Sequence, residues 1–314
     1  MLGLVSYFIL LISCTGSLPS PIQRGPATYH QRMDLVTGGF QRSYRVYIPS
    51  GYDGLNRLPL VVVIHGAFDT AKGMEKFSGF SHLANRENFI VLYPEGIGIL
   101  GYLQHWNAGH CCGKAANDEI DDVGYLADAI EDVCNRLVID RNRIYMVGFS
   151  NGGMMTYRFA AEHTEMLAAV APIAASIGGR PNPDASGWRI PKPKKALPIL
   201  VIHGLEDADI PFDGAISMRG KGERTYYPVE ESVQFWRNAN GCEDTPIESS
   251  LRGGAVKFRI WDNCSNSSQT VLCTIDGWGH VWPGPYFTAE LPKDDPMVDF
   301  DVSEIIWEFF KQFP

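Results

Sequence analysis

Apolar residues gather along the chain in short continuous runs, with stretches of helical spacing between them. Leu60-Val61-Val62-Val63-Ile64, Arg143-Ile144-Tyr145-Met146-Val147, Leu197-Pro198-Ile199-Leu200-Val201-Ile202 and Thr270-Val271-Leu272-Cys273-Thr274-Ile275 have the length of strands covered on both faces. Met154 to Ala161 continue as a helix directly after the second run. Val123, Leu126, Ala127, Ile130 and Leu137 mark the core face of another, and Ile305, Ile306, Phe309 and Phe310 that of a C-terminal one. Strands alternating with helices predict the α/β class: a doubly wound, mostly parallel sheet with helices on both faces. At 314 residues and 45% apolar, the chain can bury one large core, so a single domain is expected. The proline-rich stretch 181–195 breaks the pattern before the third run and reads as an insertion on the substrate-facing rim.

The start of the chain is apolar from Leu2 to Ile12 with small residues after it, the size of a signal-peptide core and too short to span a bilayer. The expected division is therefore a signal peptide over 1–20 and one folded domain over 21–314, secreted to the extracellular space. Leu11-Ile12-Ser13-Cys14 is also similar to a lipoprotein cleavage site, and membrane attachment is expected only if Cys14 is lipidated. A net charge of -9 argues against nucleic acid and anionic membrane surfaces as partners, and neither is expected. Without Cys14 six cysteines remain, an even set suited to an oxidising compartment. Cys242 with Cys264 is the best pair, and Cys111 or Cys112 with Cys134 is the second. His110-Cys111-Cys112 makes a poor metal site because adjacent thiolates do not readily converge on one tetrahedral ion, and no metal is expected. Asn263 and Asn266 begin glycosylation sequons.

The chemistry centres on Gly148-Phe149-Ser150-Asn151-Gly152, which lies between a strand and a helix. A serine on such a turn projects from the top of the sheet as a nucleophile. It needs an imidazole to take its proton and a carboxylate to hold that imidazole, in the chain order serine, acid, histidine. His280 is the one histidine in a glycine-rich loop after a late strand, and Glu206, Asp207 and Asp209 compete for the acid in the loop after the third run. The N–H groups of Asn151 and Ala67 are the expected oxyanion donors. Asp121 and Asp122 read as a helix start, not a carboxylate pair for glycoside chemistry.

With these pieces placed, the chain resembles the polyhydroxybutyrate depolymerases and feruloyl esterases of carbohydrate esterase family 1, in the α/β-hydrolase superfamily. The resemblance rests on His65-Gly66, Tyr93-Pro94-Glu95-Gly96, Trp106 to Gly113, Asp121-Asp122-Val123-Gly124, Arg143-Ile144-Tyr145 and Gly148 to Gly152. It continues through His203-Gly204 with Asp207 and Pro211, Asn240-Gly241-Cys242, and Gly279-His280 with Trp282-Pro283-Gly284. It implies Ser150 as nucleophile, Asp207 as orienting acid, His280 as base and no cofactor. Asp209 stands where the family usually has an apolar residue, Ala67 where some branches have cysteine, and Trp278 where glycine is common. Trp278 is thus the expected wall of the acyl pocket, with Trp106 and Trp282 as packing residues, and feruloyl esters are expected to be preferred over hydroxybutyrate oligomers. The alternatives are a polyhydroxyalkanoate oligomer depolymerase, a peptidase or lipase on the same fold, and a non-catalytic hydrolase-like binding protein. The last commonly lacks a triad residue, whereas here all three are present. The partner is a small-molecule or polysaccharide-linked ester.

Overall fold

In the computed structural model, which describes residues 26–37, 40–99, 101–217 and 223–314, ten strands form one sheet. They are β1 (Ala27–Thr37), β2 (Phe40–Ile48), β3 (Leu58–Ile64), β4 (Ile90–Pro94), β5 (Ile139–Phe149), β6 (Ala169–Ile173), β7 (Ile199–Gly204), β8 (Ile247–Leu251), β9 (Val256–Trp261) and β10 (Thr270–Ile275). Their spatial order is β1-β2-β4-β3-β5-β6-β7-β10-β9-β8. The six strands from β4 to β10 in that order are parallel, and antiparallel pairs close both edges. The proposed signal peptide and Cys14 lie outside the described residues. Among those residues, no helix is long and apolar enough to cross a membrane.

Each apolar run becomes a strand because both of its faces are covered. In β3, Leu60, Val62 and Ile64 enter one core while Val61 and Val63 enter the other, all fully buried. On the first side pack α3 (Asp122–Arg136), α4 (Asn151–Glu162) and α5 (Val229–Asn240), and on the second α1 (Ala71–Ser78), α2 (Phe80–Glu87) and α6 (Val302–Phe310). The doubly wound arrangement expected from the alternation is what forms. β8 and β9 are less legible in sequence, since all of β8 is solvent-exposed and carries no buried alternation.

Two expectations are corrected here. Cys242 and Cys264 form a disulfide as expected, but Cys111 pairs with its neighbour Cys112, and Cys134 and Cys273 are free. The reason is where Cys134 sits on its helix. Asp122, at the start of α3, accepts the Asn107 N–H of the cysteine loop, so Cys134, twelve residues on, lies about 18 Å further along the axis. The insertion 181–195, in turn, supplies none of the described residues that line the cavity at Ser150. Its Trp188–Arg189 pairs with Gly178–Arg180, which pairs with Thr225–Tyr226, in a small separate sheet, and Trp188 stacks on the buried His110. Asn263 and Asn266 are both exposed.

Candidate active site

Ser150 follows β5 and precedes α4 with φ 55° and ψ -120°, a left-handed conformation that a side chain rarely adopts. The flanking glycines are required by contact. A Cβ on Gly148 would strike the Gly152 carbonyl and the Thr156 hydroxyl, and one on Gly152 would strike the Ile64 and His65 carbonyls of the adjoining strand end. The turn can therefore close onto its own helix only with hydrogen at 148, and press against the end of β3 only with hydrogen at 152.

β7 and β10 are neighbours, so the loops after them converge above Ser150. His280 Nε2 lies 2.8 Å from Ser150 Oγ, and His280 Nδ1 lies 2.7 Å from Asp207 Oδ2. The other Asp207 oxygen accepts the backbone N–H groups of Asp209 at 2.9 Å and Ile210 at 2.8 Å. Asp207 is buried. Burial alone would raise its carboxyl pKa, but the hydrogen bond and charge of His280, then His203 and the Ile210 N–H, outweigh it and hold the group below the usual carboxylate range. His203 has its Nε2 2.8 Å from the Ile210 carbonyl and 3.5 Å from Asp207, and burial pushes its pKa down. With a carboxylate accepting from Nδ1, the proton of a neutral His280 resides there. Nε2 is then the acceptor facing the serine hydroxyl. Of the three competing acids the structure brings Asp207 to the histidine, while Asp209 contributes only its N–H.

Ala67 and Asn151 border the same cavity as Ser150 and His280. Asn151 opens α4, where a backbone N–H has no partner within the helix. Its side chain is occupied otherwise: Oδ1 accepts Trp106 N–H at 2.7 Å and Nδ2 donates to the Trp106 carbonyl at 3.0 Å. The Trp106 indole then donates to the His65 carbonyl at 2.9 Å. Trp106 and Trp282 are fully buried packing residues, as expected. Asp122 does more than start a helix, since it is buried and pairs with Arg42 at 2.7 Å while holding Asn107 of the cysteine loop.

The cavity is about 580 Å³, and its wall includes Phe68, His105, Cys112, Met154, Arg224 and Tyr226. Trp278 is not among the described residues that line it. Its indole donates to the Val281 carbonyl at 2.9 Å and packs into the second core. Sequence reasoning missed Arg224 and Tyr226 because the polar stretch before α5 has no periodicity to place it. It missed Phe68 and His105 because neither carries a motif, although His105 directly precedes the Trp106 block.

Comparison with known proteins bears on the esterase resemblance and on the fold. The family model described as Esterase PHB depolymerase matches residues 42–187. The chain is 29% identical over 309 residues to the putative esterase NocK of Nocardia uniformis subsp. tsuyamanensis, covering 90% of this chain and 86% of that protein. It is 29% identical over 242 residues to feruloyl esterase B of Piromyces equi, covering 76% of this chain but 42% of that longer protein. Its fold is similar to that of the solved acetyl xylan esterase from Aspergillus awamori, with a TM-score of 0.57 at 17% identity over 90% of this chain and 99% of that one. These findings bear out the esterase resemblance read from the motifs. The chain is a carboxylic ester hydrolase on an α/β-hydrolase fold.

Proposed function

We propose that the chain is a secreted serine esterase that cleaves carboxylic esters through a covalent acyl-enzyme, with residues 1–20 removed on export and 21–314 as the working domain. The observation that supports this most is the hydrogen-bonded series Ser150, His280, Asp207, with separations of 2.8 and 2.7 Å. Ser150 Oγ attacks the ester carbonyl as His280 Nε2 takes its proton. The resulting imidazolium is stabilised by Asp207, and the oxyanion by the Ala67 and Asn151 N–H groups. Collapse expels the alcohol with the proton returned from His280, and water then repeats the sequence on the acyl-enzyme. Phe68 and Tyr226 on the cavity wall favour a planar acyl group of the phenolic-acid kind. The chain's similarity to a feruloyl esterase points the same way.

The test is a panel of 4-nitrophenyl acetate and butyrate, methyl ferulate, a long-chain triglyceride and a peptide anilide, combined with labelling by a fluorophosphonate. Turnover of the small esters with the label mapped to Ser150 is expected. A label on another residue, or faster cleavage of the anilide, would overturn the assignment.

A further inference from the structure

Arg224 stands on the cavity wall with Ser150 and His280, and its partners among the described residues are the Tyr226 side chain and two disulfide sulfurs. Nη1 lies 3.3 Å from Cys111 Sγ and 3.7 Å from Cys112 Sγ, both in a disulfide, and such sulfurs accept hydrogen bonds weakly. The buried Nε has no acceptor among the described residues. Among the described residues, no carboxylate pairs with this side chain, whereas most of the other arginines have one. Asp209 and His105 share the wall with it. Asp209 is not without a partner of its own. His105 is kept uncharged, first by burial and also by the charge of Arg224. A half-buried guanidinium in this state is a ready-made fork for two oxygens of a bound anion.

We infer that Arg224 is a specificity-determining residue: the preferred substrate is an ester that carries a carboxylate, and the carboxylate docks on this guanidinium while the ester carbonyl lies at Ser150. The inference rests on the serine esterase reading and deepens it by naming the charge of the substrate. The disulfide beneath Arg224 gives it a backing on which the side chain lies in place before the ligand arrives, so less ordering remains to be done on binding.

The experiment compares each anionic ester with its neutral isostere, on both sides of the scissile bond. For the acyl side the pair is the mono-4-nitrophenyl ester of adipic acid and the same ester with its free acid as a primary amide. For the alcohol side it is 4-carboxyphenyl butanoate and 4-carbamoylphenyl butanoate. Taking the ratio of kcat/KM within each pair, and then between proteins, cancels the difference in leaving group. In at least one pair the carboxylate-to-amide ratio should fall on the order of tenfold or more in Arg224→Gln, with Arg224→Lys in between, as expected for losing a charge-assisted fork. The effect should appear mainly in KM, because the anchor acts on ground state and transition state alike. An unchanged ratio in both pairs, with neutral esters still cleaved, overturns the inference alone. If Arg224→Gln does not fold, the wild-type enzyme still decides, because an amide cleaved as fast as the carboxylate in both pairs has the same consequence. Absence of turnover on all four esters by the folded wild-type protein would overturn the esterase reading and this inference with it.

Discussion

Exchange of Asp207 for asparagine is the most informative single perturbation, because the surrounding contacts fix how the amide must sit. One Asp207 oxygen is held by two backbone N–H groups, from Asp209 and Ile210. In Asp207→Asn only the amide oxygen can satisfy them, so the NH2 group turns to the position 2.7 Å from His280 Nδ1. Two donors cannot face one another, and the imidazole is driven to the tautomer with its proton on Nε2. That nitrogen then donates towards Ser150 Oγ, 2.8 Å away, and has no lone pair with which to take its proton. The loss should be about ten-thousand-fold in kcat, or about 5.5 kcal/mol of barrier. Asp209→Asn keeps its backbone N–H and should stay within about threefold of wild type. Initial rates on 4-nitrophenyl butyrate at pH 7.5, with near-UV circular dichroism confirming both folds, decide between them. Asp207→Asn retaining a tenth of the activity, or the reverse ranking of the two variants, would refute the assignment.

Ser150→Ala and His280→Ala should each lower turnover by about three to six orders of magnitude with the fold intact, and a residual rate above a tenth of wild type in clean protein would sink the mechanism. Gly152→Ala forces a methyl group against the Ile64 and His65 carbonyls and should destabilise by about 1–3 kcal/mol in urea unfolding; an unchanged midpoint would show that the turn has room to spare. Peptide mapping under non-reducing conditions should join Cys242 to Cys264, with Cys134 and Cys273 the alkylated thiols after denaturation, and a link from Cys134 to the 111–112 pair would contradict the structure. Burial pushes the pKa of His65 down to about 4 and that of His110 down to about 3. The unfolded chain takes up these protons near pH 6.5, so this stability is complete above that value and drains away as the pH falls towards 4. A urea midpoint that stays level between pH 7.5 and 4.5 would speak against it. Trp278→Gly removes no lining of the cavity and should leave the ratio of methyl ferulate to hydroxybutyrate-oligomer turnover within about threefold; a larger change would restore Trp278 to the acyl pocket.

What the sequence disclosed, and what it withheld, follows from how local each feature is. Ser150 is legible because the turn that carries it demands glycine on both sides, and β3, β5, β7 and β10 because burial on two faces leaves an unbroken apolar run. His280 and an acid in the loop after β7 are legible through the order in which parallel strands deliver their loops, and the choice of Asp207 among the three acids there through the family resemblance. Arg224 was not, because its placement depends on a short antiparallel contact of Thr225–Tyr226 with Gly178–Arg180, for which no periodic pattern exists. Trp278 is expected on the pocket wall because it replaces the usual glycine, but its indole turns back to its own loop, a contact that no motif discloses. The role of Asp122 was understated because its partner Arg42 lies eighty residues away and in another element.

The clasp between Asn151 and Trp106 divides the freedom to change unequally between the two banks of the cavity. One bank, the cysteine loop, is bolted through Trp106 to the residue beside the nucleophile and through Asn107 to a buried ion pair. Any remodelling there is transmitted directly to the reaction centre. On the opposite bank, Asp209 and Ile210 meet the catalytic acid through backbone N–H groups, which any non-proline residue supplies. New substrate ranges on this scaffold are therefore reached by grafting that second bank, whereas libraries aimed at the first will mostly return inactive proteins.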